Sequence, residues 1–156
     1  MPEMNATEWA SYCNHLANDP LAPPSAILVV RVLRFSGADI GEVVGYRRQV
    51  DNAEIPGMLC RDIRTTKGVT RLRFKRQKVD KSPERFVPYP SGYANELLAH
   101  VTAHALLPSD GLFGMLDRPS FERAHRRARK AIHRPDLRIK DFRHLAAIGW
   151  ARAGTR

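Results

Sequence analysis

The chain is poor in the residues that would place it in a secreted, membrane or metal-binding class. It has two cysteines in 156 residues, Cys13 and Cys60, and they are isolated. They form neither a C-x-x-C pair nor a disulfide framework, which points to two reduced, packing side chains and a reducing compartment. No apolar run approaches the length of a bilayer span. The first ten residues have neither a basic start nor an apolar stretch, so no secretory leader is expected and the chain reads as soluble and cytoplasmic. Walker-type, G-x-S-x-G and Rossmann glycine patterns are missing, as are repeats and low-complexity tracts. His100 and His104 stand four apart on a helical pattern without an adjacent Glu or an evident third ligand, so they read as structural or surface histidines. No metal and no cofactor are expected. Lys and Arg are wholly absent from residues 86–116.

That last gap matters because the formal net charge is +10. Residues 1–60 carry 4 basic and 7 acidic side chains, residues 61–85 carry 10 against 3, and residues 117–143 carry 10 against 4. Nearly all the positive charge therefore sits in two blocks, the pattern of a protein that holds a polyanion between two basic faces. At 156 residues and 43% hydrophobic content, the expectation is one domain with a proper core.

Periodicity divides the chain into helical ends and an extended middle. Trp9, Tyr12, Cys13 and Leu16 recur at helical spacing over residues 7–18, with Thr7 as the candidate cap. Ser25 precedes the apolar helix Ala26-Ile27-Leu28-Val29-Val30-Arg31-Val32-Leu33, which ends at Ser36-Gly37. A third helix is expected from Asp39 to about Gln49, with Asp39 and Glu42 as a capping box. From Met58 the period changes to two: Met58–Ile63, a turn at Thr66-Lys67-Gly68, then Leu72 and Phe74 alternating against Arg71, Arg73 and Lys75. Arg85-Phe86-Val87-Pro88 adds a third strand at an edge. Helical spacing resumes from Ser91 with Leu97, Leu98, Val101, Ala105 and Leu106. Leu112-Phe113 anchors a loop, Ser120 caps a basic helix containing Arg126, Arg127 and Lys130, and Pro135 leads into Arg138-Ile139-Lys140-Asp141-Phe142-Arg143-His144-Leu145-Ala146-Ala147. The class is α+β, mostly helical, with a small antiparallel sheet.

In this last segment, a basic side chain and an arginine lie about one helical turn apart. It resembles the H-x-L-R-H box of the tyrosine recombinase (phage integrase) family, with Lys140 in the leading His position. Three further segments are similar to that family in its order: Ser36-Gly37-Ala38-Asp39-Ile40-Gly41-Glu42-Val43 resembles T-G-L-R-x-x-E-L; the basic hairpin through Lys81 with Arg85-Phe86-Val87-Pro88 resembles the hairpin ending in R-x-V-P-L; and Phe121, Ala124, Ala128 and Ala131 resemble the helix ahead of the box. The resemblance implies a catalytic domain that attacks a DNA phosphodiester with a tyrosine while arginines hold the non-bridging oxygens. On it, Arg143 is the second clamping arginine and Lys140 contacts the phosphate or shuttles a proton. Lys78 is the hairpin lysine that protonates the leaving 5′ oxygen, with Lys75 and Lys81 as competing registers. Arg71, Arg73, Lys75, Arg76, Lys81, Arg126, Arg127 and Lys130 would contact double-stranded DNA, and a full-length form would self-associate on it.

Two departures from the family stand out. Asp39 occupies the place of the first arginine, a charge reversal. Arg47 and Arg48, eight residues along the expected helix, lie too far to substitute, and Arg34 is the remaining candidate. All four tyrosines precede Arg143, whereas the family's nucleophile follows it, and Trp150 reads as a packing residue. The expectation is therefore a catalytic domain lacking its nucleophile-bearing helices and the N-terminal core-binding domain, inactive as this chain. The alternative is a non-catalytic DNA-binding remnant or regulator, and a third reading is an unrelated basic nucleic-acid-binding protein.

Overall fold

The structure, a computed structural model, describes residues 3–74, 84–114 and 116–152, the last six as backbone only. The chain is α+β, about 48% helical, so helices far outweigh strands. In chain order the elements are α1 (Ala6–Ala17), α2 (Ala26–Ser36), α3 (Ile40–Val44), β1 (Tyr46–Arg47), β2 (Glu54–Ile55), β3 (Ile63–Thr66), β4 (Val69–Phe74), β5 (Arg85–Tyr89), α4 (Ser91–Ala103), α5 (Arg118–Ala131) and α6 (Asp141–Arg152). They form two compact units. One comprises Met1–Gly37 and Met115–Arg156, the other Ala38–Gly114.

The first unit is helical: α1 packs on α2 and α5, and α2 packs on α6. Its helix α1 starts two residues earlier than periodicity implies. Asn5 Oδ1 accepts from the Glu8 N–H at 2.8 Å and Glu8 Oε1 accepts from the Asn5 N–H at 3.1 Å. Asn5 with Glu8 three residues on is a reciprocal cap, whereas Thr7 has Ala10 at that spacing and nothing to reciprocate. Ser25 stands at the start of α2, but its hydroxyl makes no cap bond. The helix owes its stability to burial, with Val29, Val30, Val32 and Leu33 all in the core. In α5, Asp117 occupies the cap position and Ser120 lies inside the first turn, its hydroxyl bonded to the Asp117 carboxylate.

In the second unit, α3 is five residues long and does not reach Gln49. The Gly45 N–H closes the helix on the Gly41 carbonyl, and the chain turns into β1, which pairs antiparallel with β2. This junction tolerates no side chain at Gly57: a Cβ there would lie 2.6 Å from the Val43 carbonyl carbon and 2.5 Å from the Gly45 nitrogen, both rigid backbone atoms. The expected capping box does form, with Glu42 accepting from the Asp39 N–H at 3.0 Å. Arg47 and Arg48 are consequently not on the helix, and Arg48 pairs with Asp51 at 2.6 Å.

The three-stranded sheet has the order β3-β4-β5, antiparallel throughout. Lys67 and Gly68 join β3 to β4 with φ of 52° and 78°. Two consecutive positive φ values make a type I′ turn, whose twist matches that of the strands and which Gly at the second place favours. The first strand does not run over Met58–Ile63 as expected; it begins at Ile63 and continues to Thr66. Cys60–Asp62 is a 3₁₀ turn, because the Cys60 and Arg61 N–H groups bond instead to the Asp110 and Pro108 carbonyls. Thr70, Leu72, Phe74, Val87 and Tyr89 line the buried sheet face, and α4 packs against β4, with Ala94 and Leu97 buried on that helix. Leu98 lies outside the expected stripe and is 42% exposed, and Ala105 falls beyond the helix end with φ 50°.

Candidate nucleic-acid interface

In the helical unit a buried polar relay fixes the segment that carries Lys140 and Arg143. His125 Nε2 lies 2.9 Å from the Leu137 carbonyl oxygen, which can only accept, so Nε2 bears the proton. Nδ1 must then accept, and the Tyr12 hydroxyl donates to it at 2.7 Å. The same Leu137 carbonyl accepts from Arg129 at 3.0 Å. The Phe142 ring packs against Tyr12 and His125, with centroids 5.6 and 5.9 Å away. Burial pushes the His125 pKa down to about 4, a tendency the Leu137 bond opposes and the Arg129 and Arg126 charges reinforce.

Asp141 closes the next link. It is fully buried and accepts from the Arg138 N–H at 2.8 Å and the Arg138 guanidinium at 3.2 Å. Burial alone would raise its pKa, but the Arg138 bonds hold it below the ordinary carboxylate value. With Phe142, Leu145 and Ala146 facing inward, the 3.6-residue period turns Lys140, Arg143 and His144 out to solvent. Lys140 and Arg143 stand one helical turn apart at the start of α6, on a base of buried rings. Arg34, the remaining candidate for the first arginine's place, donates to the Leu145 carbonyl at 3.3 Å and lies over the Phe35 ring at 5.1 Å.

Helix α5 buries Phe121, Ala124, His125 and Ala128 and exposes Arg123, Arg126, Arg127 and Lys130. Arg127 is bound to Asp19 at 2.6 Å, which depresses the Asp19 pKa and spends part of the arginine's charge locally. Arg126 and Lys130, four apart on one side, have no carboxylate partner among the described residues.

In the second unit, the arginines of the sheet are not equivalent. Arg73 turns to Asp62 at 2.7 Å and to Glu84 at 3.3 Å, leaving its side chain 11% exposed. Arg85 reaches Glu42 at 3.2 Å and lies over the Phe74 ring. Arg71 stays exposed, directly opposite Arg64. Arg64 is not among the DNA contacts expected from the sequence, although continuing the period-two alternation across the Lys67-Gly68 turn places it beside Arg71. Asp39 is exposed at the head of α3. Lys75, Arg76, Lys78 and Lys81 lie outside the described residues.

Among the described residues no group of three or more His, Cys, Asp or Glu could hold a metal ion. His100 Nε2 lies 3.0 Å from the Leu112 carbonyl oxygen, so this nitrogen is a donor and not a ligand. No described helix is long and apolar enough to cross a membrane. No family model, curated protein or solved structure matches the chain.

Proposed function

We propose that the chain binds duplex DNA as the catalytic-domain portion of a tyrosine recombinase or integrase, and that it holds phosphates without cutting them. The observation that carries this reading is the exposed pair Lys140 and Arg143 on one helical turn, held by the Tyr12–His125–Leu137 relay and the Arg138–Asp141 pair. An arginine fork and a lysine so placed suit two oxygens of one phosphate. Arg126 and Lys130 extend the positive charge of the same unit.

The non-cutting half of the reading rests on Asp39 and on the tyrosines, all four of which precede Arg143. Asp39, in the place of the family's first arginine, serves as a helix cap, and a carboxylate repels the phosphate an arginine would hold. Tyr12 is fully buried, with its hydroxyl given to His125, so it cannot act as a nucleophile, and Tyr89 is buried as well. This pattern also favours the second reading, a regulator that occupies sites without breaking them.

Duplex binding is expected to weaken steeply with salt. Each phosphate contact contributes about 0.9 to the slope of log K against log salt. Changing Arg126, Lys130, Lys140 and Arg143 together to Ala should lower that slope by roughly 3, measured by fluorescence anisotropy on an arbitrary duplex. An unchanged slope would remove the α5–α6 face from the interface. Incubated with nicked suicide duplexes, the chain should give no band shifted by attached DNA on a denaturing gel. A tyrosine-linked adduct would overturn the non-cutting reading.

A further inference from the structure

The outer face of the β3-β4-β5 sheet carries charge that the fold does not neutralise. Arg64 and Arg71 are directly opposed across β3 and β4. Like charges in that position repel and destabilise a strand pair. Three other arginines of the same unit find acids: Arg48 has Asp51, Arg73 has Asp62, and Arg85 has Glu42. Neither Arg64 nor Arg71 has a carboxylate partner among the described residues, and both are exposed.

Beside them lies an aromatic ring that the core does not use. Phe86 alternates with the buried Arg85–Val87–Tyr89 side of β5, faces outward and is 44% exposed. The Arg64 guanidinium lies over it, 5.5 Å from the ring centroid. A guanidinium stacked on a ring keeps its N–H edge available to a phosphate and offers its far face to another planar group. Exposed Pro88, opposite Arg71, and Val69, 41% exposed on β4, extend the apolar part of the face.

We propose that this sheet face binds a single-stranded segment of nucleic acid, with Arg64 and Arg71 on consecutive phosphates and a base stacked on the Arg64–Phe86 pair. Arginines interleaved with an exposed aromatic are the chemistry of single-strand platforms, since every unpaired base presents a π-face. A duplex keeps its bases stacked on one another and would meet only the arginines. The site lies within the second unit and does not rest on the recombinase reading.

The test uses the full chain with a fluorescent oligothymidylate and, separately, a duplex of the same length. Phe86→Ala should weaken oligothymidylate binding by about tenfold, as loss of one stacked base does. It should leave duplex binding unchanged, and Phe86→Tyr should restore the wild-type affinity. Arg64→Ala with Arg71→Ala should also weaken oligothymidylate binding and lower its salt slope by about 1.4, two contacts at the smaller single-strand coefficient. As a check independent of the alanine variant, Phe86→Trp should show indole quenching on adding oligothymidylate that the parent chain lacks. The proposal is overturned if oligothymidylate does not bind, if Phe86→Ala leaves its affinity unchanged, if duplex binding falls as much as single-strand binding, or if the introduced Trp is not quenched. The α5–α6 quadruple variant, which tests duplex binding, should retain oligothymidylate affinity to within a few-fold.

Discussion

Replacing Asp62 with alanine should destabilise the fold by about 3 kcal/mol, because it strands a guanidinium that the sheet has already taken out of water. Asp62 is 5% exposed. One of its oxygens accepts from Arg73 Nε at 2.8 Å and from a terminal nitrogen at 2.7 Å, and the other accepts from the Leu59 N–H at 2.8 Å. The substitution removes all three bonds at once. Glu84, 45% exposed and 3.3 Å from Arg73, remains as a partner, but solvent screens it and it offsets little. Replacing both ends, Asp62→Ala with Arg73→Met, removes the stranded charge and should recover a large part of the loss. Urea denaturation of the two variants is the measurement. A single-variant cost below about 1 kcal/mol, or a double variant no more stable than the single one, would show that the pair does not organise this edge of the sheet.

The second large effect is on acid stability and comes from His125. Its folded pKa is lowered to about 4 from an ordinary value of 6.5. Between those values the unfolded chain binds a proton that the folded chain does not, so the stability is fully present above about 6.5 and is lost as pH falls toward 4. The span amounts to roughly 3 kcal/mol. Protonation would also make Nδ1 a donor facing the Tyr12 hydroxyl, which could accept only by rotating its own proton away from its partner. Asp141, the acidic group near the ring, acts lower: its depressed pKa adds stability that is lost only as pH drops through the acid side of 3.8. The unfolding free energy should therefore decline from pH 7 to 4.5 in the parent chain. His125→Gln, less stable at pH 7, should decline markedly less over the same range. Parallel curves would sink the assignment.

Several features were legible in the sequence because their causes are local. The Asp39–Glu42 cap, the Lys67-Gly68 turn, the apolar run of α2 and the alternation of β4 each depend on residues within a few positions of one another. Backbone hydrogen bonding and side-chain period act at that range. The differences from expectation are local as well: Asn5 and Asp117, not Thr7 and Ser120, hold the cap positions, and α3 ends at Gly45. In each case another residue a few places away offered the backbone a better bond.

The amino-acid order by itself determined the α+β class, the positions of most helices and strands, the concentration of positive charge in two blocks, and the one-turn spacing of Lys140 and Arg143. Only the tertiary structure decided which of the many arginines keep their charge for a partner. Arg73 and Arg71 look equivalent on β4, yet Asp62, eleven residues away from Arg73, neutralises one and not the other. The relay beneath Lys140 joins Tyr12 to a histidine 113 residues distant. An ion pair or a buried hydrogen bond depends on distance and desolvation in space, and neither is encoded in the spacing along the chain.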